Sequence, residues 1–168
     1  MTLPPVVPKM LKPIPVPVAE LAGQLAFARV IDRHPGLLDR LGEFGGKTYC
    51  FAPIDLPFEF AVTPCLARVR AAHRGRILRY DAKISGPVVL LLALAEGRLD
   101  GDAEFFGRQI SIDGDMEAVL ALRNAVENEA VDFVRDFAPP QGPLQGPVHR
   151  VLDRLRTHLL AREERRWN

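Results

Sequence analysis

Between residues 78 and 84 apolar and charged side chains alternate without a break. Leu78, Tyr80, Ala82 and Ile84 fall on one side, and Arg79, Asp81 and Lys83 on the other. A period of two is the mark of a strand with one face turned inward. Weaker alternation predicts strands over residues 47–51, 58–62 and 66–72. In the second, Phe58, Phe60 and Val62 oppose Glu59 and Ala61. In the third, Arg68 and Arg70 oppose Ala67, Val69 and Ala71. The connections are short, with a tight turn at Arg74-Gly75, and short connections imply antiparallel neighbours. A meander is therefore expected, apolar on one face, charged on the other, and covered on one side only. A fifth strand is expected over 107–112, with Ile110 and Ile112 on one face.

Other segments carry helical signals. Residues 18–32 are rich in alanine (Ala19, Ala22, Ala26, Ala28), with Leu21, Leu25 and Val30 as an apolar side. His34-Pro35-Gly36 ends that helix. A short one over 35–41 should turn Leu37, Leu38 and Leu41 inward, before Gly42 and Gly45-Gly46 release the chain into strands. Ser85-Gly86-Pro87 reads as a helix start, with a small residue at the cap and proline in the first position. The body that follows, 88–95, has no polar face. Such a helix must be buried on more than one side or must border an apolar cavity. Asp115 is placed to cap a further helix, and Glu117 suits its dipole. That helix carries Met116, Val119, Leu120, Leu122 and Val126 and can extend through Phe133, Val134 and Phe137.

These signals divide the chain into a proline-rich arm (1–17), a domain (18–137), a Pro/Gly linker (138–147) and a last helix (148–168). Prolines at 4, 5, 8, 13, 15 and 17 keep the arm extended. Its interleaved Leu3, Val6, Val7, Met10, Leu11, Ile14 and Val16 fit either packing along its own domain or clasping a partner or membrane. The last helix has an apolar stripe of Val148, Val151, Leu152, Leu155 and Leu159 amid arginines. Arg154, Arg162, Arg165, Arg166 and Trp167 could face a partner, the domain itself, or an anionic membrane surface.

Composition narrows the function classes. Hydrophobic residues make up 48% of 168, enough for a core, and the net charge of +1 gives no reason to expect nucleic acid. Cys50 and Cys65 belong to no CxxC and read as buried or half-buried thiols in a reducing compartment. Proline breaks any helical leader, and no apolar run approaches the ~18 residues of a membrane span. A cytoplasmic protein is expected, with peripheral membrane contact at most. No P-loop, GxGxxG, HExxH or GxSxG occurs. His34, His73, His149 and His158 are scattered, and Ser85 and Ser111 have no base partner in sequence. Asp100, Asp102, Asp113 and Asp115 do not match an EF-hand and suit turns and caps. Neither a catalytic residue nor a metal or cofactor site is expected.

What remains is apolar lining. Phe105 and Phe106 are adjacent and point in different directions, so burying both takes two apolar environments. They can wall a pocket with the helix at 88–95, or fill a solid core; the pattern leaves both open.

The segments YDAKISG (80–86), DGDAEFFGRQISIDGD (100–115) and MEAVLALRNAVE (116–127) together resemble the sterol carrier protein type two family. The Phe-Phe-x-Arg…Gly-Asp run is similar to its UbiT-like branch of ubiquinone accessory factors. The resemblance covers about a third of the chain well. It implies an α+β sandwich: a five-stranded, mainly antiparallel sheet with helices on one face and a hydrophobic tunnel between. It also implies a non-enzymatic role without cofactor. A polyprenylated quinone precursor or phospholipid would be held in the tunnel and presented to a UbiU–UbiV-like hydroxylase pair in oxygen-independent ubiquinone synthesis. A generic lipid or sterol carrier, or an interaction module without ligand, is the alternative. The wall expected from these segments is Leu91, Leu92, Leu94, Phe105, Phe106, Ile110, Val119 and Leu122.

Overall fold

A computed structural model describes residues 14–76, 79–95 and 109–131. Its strands are β1 (Tyr49–Pro53), β2 (Phe58–Thr63), β3 (Arg68–His73), β4 (Ala82–Gly86) and β5 (Ser111–Gly114). Its helices are α1 (Val16–Arg33), α2 (Gly36–Leu41), α3 (Val88–Ala95) and α4 (Met116–Asn128), with short 3₁₀ turns at Gly42–Gly46 and Pro64–Leu66. One sheet holds the five strands in the order β3-β2-β1-β4-β5.

That order corrects the expected meander. β3 does not pair with β4. Instead β4 lies parallel to β1 on its far side from β2, with Tyr49 opposite Ala82 and Phe51 opposite Ile84. The other three pairings are antiparallel. Eight residues from 74 to 81 are far more than a tight hairpin needs, so the short-connection rule did not apply here. The connection is pinned at both ends. Arg74 N–H donates to Pro57 O at 2.8 Å, and Asp81 N–H to Thr48 O at 2.8 Å, while the Asp81 carboxylate accepts from Thr48 N–H at 2.7 Å. The alternation at 78–84 thus yields a strand only from Ala82, and the fifth strand starts at Ser111 rather than 107. At the join, Gly114 has φ 91°, and a Cβ there would meet Asp81 O at 2.2 Å, so only glycine fits.

Helix α1 runs longer than expected and turns a different face inward. Leu21 and Leu25, expected on the buried side, are 59% and 51% exposed. Small residues decide the packing. A Cβ on Gly23 would stand 3.1 Å from the Val69 side chain and 3.3 Å from Phe60, so the helix axis comes close to the sheet. Ala19 joins Phe58 and Ala71 in one cluster, which Ile14, Val16 and Phe60 extend. Two polar side chains of α1 reach the outward backbone amides of edge strand β3. Glu20 Oε2 accepts from Ala71 N–H at 2.9 Å and Gln24 Oε1 from Val69 N–H at 2.8 Å. Meeting those amides fixes the rotation of the helix and leaves the leucines outside.

Residues directly opposed in neighbouring strands share a face. Tyr49, Phe51, Phe60, Val69, Ala71, Ala82, Ile84 and Ile112 lie on one; α1, α3 and α4 pack against it. A second cluster joins α1, α2 and α4 through Val30, Leu37, Leu41, Ala125 and Val126. The opposite face was expected to be solvated, but its centre is buried: Cys50, Ala52, Ala61 and Glu59 are all covered. Glu59, at 1% exposure, pairs with Lys83 Nζ at 3.1 Å. Burial works against the Lys83 ammonium, but the Glu59 hydrogen bond and charge outweigh it and raise the pKa above the ordinary lysine value.

Candidate functional site

The apolar stretch 88–95 forms helix α3, but its cap differs from the expected one. Ser85 belongs to β4. The Val88 N–H donates instead to Asp55 Oδ1, at 2.9 Å, from the β1–β2 turn, and Pro87 O accepts from Leu90 and Leu91. A carboxylate distant in sequence thus ties the helix start to the hairpin, at the end where the dipole favours negative charge. Val89, Leu90, Leu91 and Ala93 are buried, and Val88, Leu92 and Leu94 half-buried, so the helix is enclosed on several sides.

Across from it, α4 starts as expected. Asp115 Oδ1 accepts from Ala118 N–H at 3.0 Å, and its other oxygen pairs with Lys47 at 3.2 Å. The backbone amides, then Lys47, hold the Asp115 carboxyl below the usual range. Ala118, Val119, Ala125 and Val126 face inward, whereas Met116 and Leu120, expected in the apolar face, are 52% and 51% exposed.

Between the sheet, α3 and α4 lies one apolar cluster: Tyr49, Ala82, Ile84, Leu91, Ala118 and Val119, with half-buried Phe44, Phe51, Leu94, Ile110, Ile112 and Leu122 against it. Five of the eight expected wall residues meet there: Leu91, Leu94, Ile110, Val119 and Leu122. Leu92 is half-buried on α3 outside the cluster. Phe105 and Phe106 lie outside the described residues, as do Arg154, Arg162, Arg165, Arg166 and Trp167. Tyr49, Phe51, Phe44 and Ile112 were missed as lining. The strand period in 47–51 was the available signal, but no residue of it stood out.

The cluster is almost free of chemistry. Tyr49 hydroxyl donates to Phe44 O at 3.0 Å, and burial, with Asp115 and Asp81 nearby, pushes its pKa up to about 12. Cys50 is fully buried, its thiol pushed up to about 11 chiefly by that burial, so it is a poor nucleophile. Cys65, expected buried or half-buried, is exposed. His73 is exposed and stacks on Phe58 with ring centroids 5.5 Å apart. Among the described residues no three His, Cys, Asp or Glu side chains gather as a metal would need, and no helix is long and apolar enough to cross a membrane.

Comparison with known proteins agrees with this architecture. The sequence model of the SCP-2 sterol transfer family matches residues 27–127, from the middle of α1 nearly to the end of α4. A solved structure described as UbiJ-SCP2 ubiquinone synthesis protein shares the fold with TM-score 0.53 and 13% identity, covering 69% of this chain and 95% of its own. The sterol carrier protein domain 2 of Helicoverpa armigera aligns with 17% identity and TM-score 0.43 over 66% of this chain and 85% of its own. No curated protein matches the sequence.

Proposed function

Since the chain belongs to the SCP-2 sterol transfer family, we propose that it is a non-catalytic accessory factor of ubiquinone synthesis that holds a prenylated quinone precursor or a phospholipid. The carrying observation is the apolar cluster between the sheet, α3 and α4, where aliphatic and aromatic side chains meet without a nucleophile, an acid–base pair or a metal set among the described residues. Burying apolar surface gains about 25 cal/mol per Å², so a long hydrocarbon tail prefers such an environment to water. The name of the similar UbiJ-SCP2 structure supports the quinone pathway. In this reading Leu91, Leu92, Leu94, Ile110, Val119 and Leu122, with Phe105 and Phe106, line a hydrophobic tunnel. A UbiU–UbiV-like hydroxylase pair receives the ligand, and the arginine-rich C-terminus (Arg154, Arg162, Arg165, Arg166, Trp167) meets the partner or the inner face of the cytoplasmic membrane.

The test is native mass spectrometry of protein purified from its own host, followed by lipid extraction. A co-purifying prenylated precursor or phospholipid is expected. A delipidated protein that takes up neither would sink the proposal.

A further inference from the structure

The outward side of α1 is uncovered among the described residues. Every exposed residue of that helix before Asp32 is apolar: Pro17, Val18, Leu21, Ala22, Leu25 and Ala28. Val18, Leu21 and Leu25 are each more than half exposed. A helix on the surface of a domain ordinarily turns polar side chains outward. Here the polar ones, Glu20 and Gln24, are turned toward β3 instead. What remains outside is an uncharged seam about three turns long, at the spacing i, i+3, i+4, i+7.

The chain itself supplies a match. Val148, Val151, Leu152 and Leu155 repeat that spacing, and Leu159 extends it by a turn. The described residues end at Val131, which shares a buried cluster with Val30 of α1, so the C-terminal segment departs beside this helix. Fully extended, residues 132–147 reach roughly 50 Å. Helix α1, at 18 residues, is about 27 Å long, so every point of the seam is within reach. A bilayer fits less well. The cations of α1 are Arg29 and Arg33, both past the exposed leucines, whereas a helix lying on an anionic surface carries a lysine- and arginine-rich face. A second copy also fits less well. One pair of three-turn helices buries far less than the roughly 1,200 Å² of a stable interface between separate molecules. A tethered helix needs less, because its linker holds it at an effective concentration on the order of millimolar.

We propose that the C-terminal helix, 148–168, lies along the outward side of α1, with its valine and leucine stripe closing the seam of Val18, Leu21 and Leu25. On helical spacing Arg150 and Arg154 fall opposite that stripe, so docking presents them outward as a basic edge beside α1. The inference concerns the outside of the domain and does not depend on what the interior holds.

The experiment is hydrogen exchange on the full chain without lipid, at low and high protein concentration. Helices draw most of their stability from packing of an apolar face, so an undocked 148–168 exchanges near the unstructured rate. Docking should slow it on the order of tenfold or more. Leu21→Glu/Leu25→Glu, at exposed positions of the domain, should return 148–168 to fast exchange. Leu152→Glu/Leu155→Glu should do the same and also speed exchange in α1. Fast exchange of 148–168 in wild type overturns the inference, as does protection that survives Leu21→Glu/Leu25→Glu. Protection seen only at high concentration assigns the seam to a second copy. Protection gained only on adding phosphatidylglycerol–phosphatidylcholine vesicles assigns it to a membrane. Either result overturns the inference. Should the α1 variant not fold, Leu152→Glu/Leu155→Glu decides alone, and unchanged exchange in α1 overturns the inference.

Discussion

The two faces of the sheet are buried by opposite means. On one, Tyr49, Phe51, Ala82, Ile84 and Ile112 meet helices through apolar contact. On the other, small residues (Cys50, Ala52, Ala61) share the buried centre with one ion pair, Glu59 with Lys83. Apolar contact has no direction and tolerates exchange of one hydrocarbon for another. An ion pair is made in one arrangement only. Glu59 stands on β2 and Lys83 on β4, with β1 between them, so the pair forms only when β4 has inserted beside β1. In the proposed reading the helical face holds a changing guest, while the polar face records the strand order, a role for which buried polar groups have precedent.

Breaking the polar face should have the largest effect. Lys83→Met strands a buried carboxylate and should cost about 3–5 kcal/mol in urea unfolding, with much of it regained in Lys83→Met/Glu59→Leu. A cost below about 1 kcal/mol would mean that the second face is wet and the contrast false. On the helical face, Ile84→Ala should cost about 2–4 kcal/mol by cavity formation, without dependence on pH. The Lys83 contribution has a pH signature. Its folded pKa is raised, so its stabilisation is complete below the unfolded lysine value and is lost as pH climbs through the folded one. Alkaline titration should therefore destabilise wild type more than Lys83→Met/Glu59→Leu.

Thiol labelling sharpens the same contrast with a smaller effect. One cysteine, Cys65, should react in the native state and two after denaturation; fast native labelling of Cys50 would show that the polar face opens readily. The smallest effect is expected at the α4 cap. Asp115→Ala should lower Tm by a few degrees. Because the Asp115 pKa is depressed, that difference should be full above the ordinary carboxylate range and should vanish as pH falls through the folded value.

Much of this was legible in the chain. The period of two placed Ala82 and Ile84 inward, and an all-apolar run foretold the enclosure of α3. Asp115 was recognisable as a cap because the capping carboxylate and the amide it serves are three residues apart. What was not legible depends on distant partners. Asp55 caps α3 from 33 residues away. The parallel insertion of β4 follows from pairings between 49–53 and 82–86 that no local pattern encodes. Leu21 and Leu25 looked inward because apolar periodicity is blind to Gly23 and to the amides served by Glu20 and Gln24. At the candidate site, the helical half was read from its uniform apolarity. The strand half, Tyr49 and Phe51, needed the sheet to be assembled first.

The bonds from Glu20 and Gln24 to β3 bear on where the folding unit begins. Those two carboxamide and carboxylate oxygens occupy acceptor positions that a strand from another molecule would otherwise fill. Family similarity starts at residue 27, beyond both of them. A chain trimmed to that boundary would keep its sheet and lose its own chaperone for the β3 margin. It should pair strand to strand with its copies, turning a closed border into a seam.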